Sequence, residues 1–155
     1  IKAITHPEAI VELATYYQSL GITEIGGDNC GPWMTWMDCP QGSPWCGYFA
    51  QKVYRTVWAA LGEHPTIDWS PPPDPSYYVP TMVERAKEAN LFKLSSAGYV
   101  PKPGDVAFLK SGGSWSHVAI VIGQQADKVV TIDGNWSDGC VFVERYVSEC
   151  DYGSI

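Results

Sequence analysis

Val100-Pro101-Lys102-Pro103-Gly104-Asp105-Val106-Ala107-Phe108-Leu109 marks the point where the hydrophobic period of this chain changes. Pro101 to Asp105 read as a turn, and Val106 to Leu109 as a strand. Downstream, His117 to Ile122 is a strongly β-branched strand, Lys128 to Asp133 another, and Val141 to Tyr146 a fourth. The short connections Gly123 to Asp127 and Asn135 to Gly139 make neighbouring strands antiparallel. Upstream of Val100 the apolar residues instead recur at helical spacing. Thr5 and Glu8 form a capping box, Pro7 suits the first turn, and Gly21 ends the helix. Its expected apolar face is Ile10, Leu13, Tyr16, Tyr17 and Leu20. A second helix runs from Cys46 through Ala50, Val53, Tyr54, Val57, Trp58 and Leu61 to Gly62. A third starts at Pro80 and passes Val83, Ala86 and Leu91. Helices first, then an antiparallel meander, make an α+β domain that spans residues 1–155.

Two loops interrupt this order. Residues 21–45 carry Gly26, Gly27, Gly31, Pro32, Pro40, Gly42 and Pro44, with one helical turn at Trp33, Met34, Trp36 and Met37. That turn packs against the central helix or forms a satellite core of its own. Trp69 to Tyr78 contains Pro71, Pro72 and Pro73, which force an extended, stiff surface loop beside a groove.

With 155 residues, 45% of them hydrophobic and 17% charged, the composition is that of a globular chain. The formal net charge of −7 argues against nucleic acid and against an anionic membrane as partners. No apolar run is long enough to span a bilayer. Five cysteines leave one over. Cys30 with Cys39 and Cys140 with Cys150 are the local pairs, expected as disulfides in an oxidising compartment. Five reduced, buried thiols are the alternative. No Cys-x-x-Cys or His-x₃₋₅-His spacing occurs, and Glu24, Asp28 and Asn29 lack the alternation of a calcium loop, so neither metal nor other cofactor is expected.

Local pairing leaves Cys46 unpaired, in the first turn of a helix. Unpaired backbone N–H groups and the positive end of the helix dipole favour an anion there, and a thiolate is one. A cysteine hydrolase also needs a histidine to take and return the proton, and a residue to orient that histidine. His117 opens a strand with apolar neighbours. Asp133 and Asn135 lie two apart on the next strand, on one face, and either can accept a hydrogen bond from the imidazole. His6, in a helix cap, and His64, beside Pro65, lack such partners in the sequence.

Trp45-Cys46-x-x-Phe49, Pro103-Gly104-Asp105, Ser116-His117-Val118-Ala119-Ile120-Val121 and Asp133-Gly134-Asn135, in this order, resemble the CHAP family. Glu24-x-x-Gly27-Asp28-Asn29 and Pro44-Trp45-Cys46 are similar to its phage-associated members. The family comprises cysteine, histidine-dependent amidohydrolases and peptidases with a papain-like core, found in phage endolysins and bacterial wall hydrolases. The resemblance implies Cys46 as nucleophile, His117 as general base, Asp133 in place of the family's acidic residue, and Asn135 as its asparagine. The Cys46 backbone N–H is the natural oxyanion donor, with a second expected from residues 28–33.

The implied substrate is bacterial peptidoglycan, cut at the N-acetylmuramoyl-L-alanine amide or at a stem or cross-bridge peptide. The protein is then a monomer that works at the cell wall, whether secreted, periplasmic or phage-delivered. An idle wall-binding module of the same fold and an interbacterial amidase toxin are the alternatives.

Overall fold

The computed structural model describes residues 4–62 and 77–155. The first helix, α1 (His6–Ser19), starts as expected: the Thr5 hydroxyl accepts from the Glu8 N–H at 3.3 Å. Its buried face is narrower than the sequence implies. Ile10, Ala14 and Tyr17 are buried, whereas Tyr16 is 58% exposed and Leu20 also lies at the surface. A short α2 (Pro32–Trp36) supplies Met34 to the main core, and Met37 just after it is buried there too. Trp36 meets Tyr17 edge-on at 4.7 Å, so this segment packs into the main core and is no satellite. The central helix α3 (Cys46–Leu61) begins at Cys46 and buries Phe49, Ala50, Val53, Tyr54 and Val57. Helix α4 (Val79–Glu88) turns Val79, Met82, Val83 and Ala86 inward. The proline run 71–73 and His64 lie outside the described residues.

The described strands are β1 (Phe92–Lys93), β2 (Val106–Ser111), β3 (Ser114–Gln125), β4 (Lys128–Trp136), β5 (Gly139–Tyr146) and β6 (Asp151–Gly153). They form one antiparallel sheet in the order β1-β6-β2-β3-β4-β5. The four expected strands are present, and β3 is longer than expected: it runs through Gly123 to Gln125 and turns at Ala126 and Asp127. The short strands β1 and β6, at one end of the sheet, carry no alternation in the sequence, because two or three residues are too few to show a period. Helices α1, α3 and α4 cover one face, with Val106, Phe108, Val118, Ile120 and Ile132 beneath them. Strand neighbours of opposite parity, Ala107, Ala119, Val121 and Val129, join Cys150 and Tyr152 in a second cluster on the other face.

All five cysteines are free, which corrects the expected bridges Cys30–Cys39 and Cys140–Cys150. The Gly42 N–H donates to Asn29 O at 2.8 Å, and the Gln41 amide pairs with the Gly31 backbone. These bonds hold residues 29–31 against residues 41–42. Cys30 Sγ turns to the Asp28 carbonyl, and Cys39 Sγ to the carbonyls of Pro40 and Ser43. Cys140 belongs to the helix-side core and Cys150 to the opposite cluster, so the sheet separates that pair. The case for an oxidising compartment built on bridged thiols falls with them.

Candidate active site

Two tight approaches bring the helix start against the sheet. A Cβ on Gly134 would stand 2.5 Å from Phe49 Cβ, so only a glycine on β4 lets α3 lie this close. One turn back, a Cβ on Gly47 would meet the Tyr77 carbonyl oxygen at 2.1 Å, which fixes the chain before α4 over the helix N-terminus. Tyr48 and Tyr77 then stack at 3.9 Å with their rings 9° apart. A groove of about 310 Å³ opens between these elements, lined by Cys46, Tyr48, Tyr77, Tyr78, Pro80 and Trp115 among others. It is mainly apolar and aromatic, the character of a binding cleft.

Cys46, His117 and Asp133 come together at its edge. His117 is buried just after a register break, where Leu109 pairs with His117 but Lys110 pairs with Trp115. Its Nε2–H donates to Asp133 Oδ2 at 2.7 Å, and the imidazole also hydrogen-bonds the Cys46 side chain. With Nε2 taken, Nδ1 is the nitrogen left for the sulfur. Burial by itself pushes the imidazolium down. The bond to Asp133, the bond to Cys46 and the negative charge of both outweigh it, and His117 is raised to about 9.

Asp133 is fully buried yet stays below the usual carboxylate range. Burial raises it, but hydrogen bonds from His117 and Arg145 and the charges of the same two residues prevail. Arg145 Nη2 donates to Asp133 Oδ2 at 2.5 Å, and Nη1 to Oδ1 at 3.2 Å and to Thr131 Oγ1 at 2.7 Å. The Thr131 hydroxyl in turn donates to Asp133 Oδ1. Trp136 shields this group: its ring is 5.0 Å from the His117 ring, and the Arg145 guanidinium sits over it at 4.7 Å.

Asn135 is placed elsewhere. It has φ 60°, and the β4–β5 register breaks between Asp133 and Trp136, so the two-residue alternation fails at this point. Its Nδ2 donates to Asn29 Oδ1 at 3.3 Å. Asn29 belongs to a loop tied to the active helix through Glu24, whose carboxylate accepts from the Asn29 N–H at 2.8 Å and from the Trp45 indole at 3.0 Å. The Glu24 N–H reaches Asp138 O at 3.2 Å, which tethers the loop to the β4–β5 turn.

Arg145, Thr131 and Trp136 carry no assignment from the sequence. The signal for Arg145 is visible in retrospect: Val141, Val143 and Arg145 are alternate positions of one strand, and the third of an inward-facing set is a cation. Among the described residues no group of His, Cys, Asp and Glu is arranged to hold a metal ion, and no helix is long and apolar enough to cross a membrane.

A helix bearing a cysteine at its N-terminus, laid on an antiparallel sheet that presents histidine and a carboxylate, is an α+β fold consistent with a papain-like core. The CHAP domain model matches residues 38–135, and the chain belongs to that family. The family's enzymes are peptidoglycan amidases and peptidases. Neither the curated proteins nor the solved structures give a match.

Proposed function

We propose that this chain is a peptidoglycan hydrolase cleaving an amide bond through Cys46. The observation that carries the reading is His117, shared between the Cys46 side chain and the buried Asp133 carboxylate. The sulfur, its proton held on His117, attacks the amide carbonyl. The tetrahedral oxyanion is stabilised by the Cys46 backbone N–H at the start of α3. His117 gives its proton to the leaving amine, the C–N bond breaks, and a thioester to Cys46 remains. His117, now neutral, takes a proton from water, the hydroxide displaces the sulfur, and the acid product leaves. Asp133 keeps the imidazole in the tautomer that faces the sulfur and balances the imidazolium charge. Asn135 holds Asn29 and with it the loop beside Trp45, so its part is to shape the site's border rather than to orient His117.

The scissile bond is the N-acetylmuramoyl-L-alanine amide or a stem or cross-bridge peptide, both of which present an acyl carbonyl to the same machinery. The aromatic groove suits an uncharged stretch of substrate. Mass spectrometry of purified peptidoglycan digested by wild type and by Cys46→Ala tests the reading. Fragments released by wild type only are expected, and the newly freed amine or sugar names the bond. Equal release by both proteins would remove Cys46 from the chemistry.

A further inference from the structure

A buried arginine needs a reason. Arg145 is 4% exposed, and its guanidinium contacts a fully buried carboxylate, a buried hydroxyl and an indole face. A buried ion pair is seldom more stabilising than apolar residues of the same volume, because both charges lose their hydration. Stability therefore gives little reason for an arginine at this strand position. Its geometry gives a better one. Two nitrogens span both carboxylate oxygens, and Thr131 occupies a further acceptor direction on Oδ1, so the carboxylate cannot rotate. The one direction left, from Oδ2, is the one His117 uses.

We propose that Arg145 is a positioning residue for the hydrolysis, locking the Asp133 carboxylate in the orientation that holds His117 against Cys46. The role rests on the Cys46–His117 reading above. Charge then alternates along Cys46, His117, Asp133 and Arg145, with no member left uncompensated when the first two are an ion pair. His117 faces Asp133 from β3 and Arg145 faces it from β5, while Cys46 on α3 stands behind His117. The Cys140 and Cys150 thiols also feel the Asp133 charge, but burial raises them to about 12 and about 11, so both stay neutral. Arg145 thus acts with His117 to keep burial from protonating Asp133. Trp136, against both His117 and Arg145, keeps water from the chain of charges.

The test compares fragment release from peptidoglycan by wild type, Arg145→Met and Arg145→Lys across the pH range. Arg145→Met is expected to lose about 10²-fold in rate, the scale of a misplaced catalytic group. Its acid limb should move up toward neutrality, because burial then acts on Asp133 without the guanidinium. Arg145→Lys keeps the charge without the fork, so it should restore the acid limb but only part of the rate. In an Asp133→Asn background, which strands no buried carboxylate, Arg145→Met should cost no further activity. A wild-type rate and pH profile for Arg145→Met would overturn the proposal, and so would an equal loss in both backgrounds. Cys46→Ala is run alongside. If it digests like wild type, the hydrolase reading and the role of Arg145 fall together. If it is inactive while Arg145→Met is unaltered, only the role of Arg145 falls.

Discussion

Asp105 and Asp133 are both buried, at 1% and 0% exposure, and both carboxylates are fully engaged, yet they sit on opposite sides of the ordinary carboxylate range. Asp105 accepts from neutral donors: the Tyr99 hydroxyl at 2.6 Å, the Lys102 N–H at 2.9 Å and the Ile155 N–H at 3.1 Å. Burial prevails over those bonds and raises it. Asp133 accepts from a guanidinium and an imidazole, and it is lowered. Hydrogen bonds satisfy either carboxylate, but the imidazole and guanidinium outweigh burial at Asp133, whereas neutral donors and the Lys102 charge do not at Asp105. The first is a turn anchor, closing the bend before β2. The second is an element of the candidate site, where a fixed negative charge supports a histidine.

Replacing the two carboxylates should separate them sharply. Asp133→Asn is expected to reduce the rate of fragment release by about 10⁴-fold, as loss of the orienting carboxylate does in a serine triad. It also strands Arg145, at a cost of about 3–5 kcal/mol in thermal or denaturant unfolding. Activity within a few-fold of wild type would break the comparison.

Gly134→Ala probes the same corner without altering a charge. The new Cβ must displace Phe49, and with it the start of α3, so a loss of about 1–3 kcal/mol is expected together with reduced activity. Unchanged unfolding would mean that helix and strand are not held this close.

Asp105→Asn should cost about 1 kcal/mol and leave activity near wild type, since only neutral hydrogen bonds change. The pH dependences should then run in opposite directions. Asp133, lowered in the fold, contributes stability that is present above its unfolded value of 3.8 and lost as pH falls through its folded value. Asp105, raised in the fold, contributes stability that is present below 3.8 and lost as pH rises through its folded value. Melting curves at successive pH values should show the cost of Asp133→Asn shrinking on acidification and that of Asp105→Asn growing. Parallel curves would contradict the distinction.

The helix that starts at Cys46, the short turn at Pro32–Trp36 and the four long strands are all legible in the sequence, because each carries a period, a cap or a proline that acts locally. Cys46, His117 and Asp133 could be singled out from the sequence because each marks the expected start or end of an element, although β3 already begins at Ser114 and β4 runs on to Trp136. What depends on register could not. The parity of Asp133 and Asn135 suggested a shared face, but the positive φ at Asn135 and the break in the β4–β5 ladder turn it toward Asn29. Arg145 is ten or more residues from every site residue it serves, and only the pairing of β4 with β5 brings it to Asp133. The cysteine bridges failed on the same ground, since nearness in sequence does not place Cys140 and Cys150 on one side of a sheet.

On the proposed mechanism an ionised Asp133, held by Arg145, keeps His117 cationic beside Cys46. NMR titration of the His117 ring protons in the intact wild-type chain tests it without a substrate. A midpoint near 9, well above the ordinary 6.5, is the predicted result. A midpoint at or below 6.5 would mean that burial, not the carboxylate, governs the imidazole, and would contradict the account.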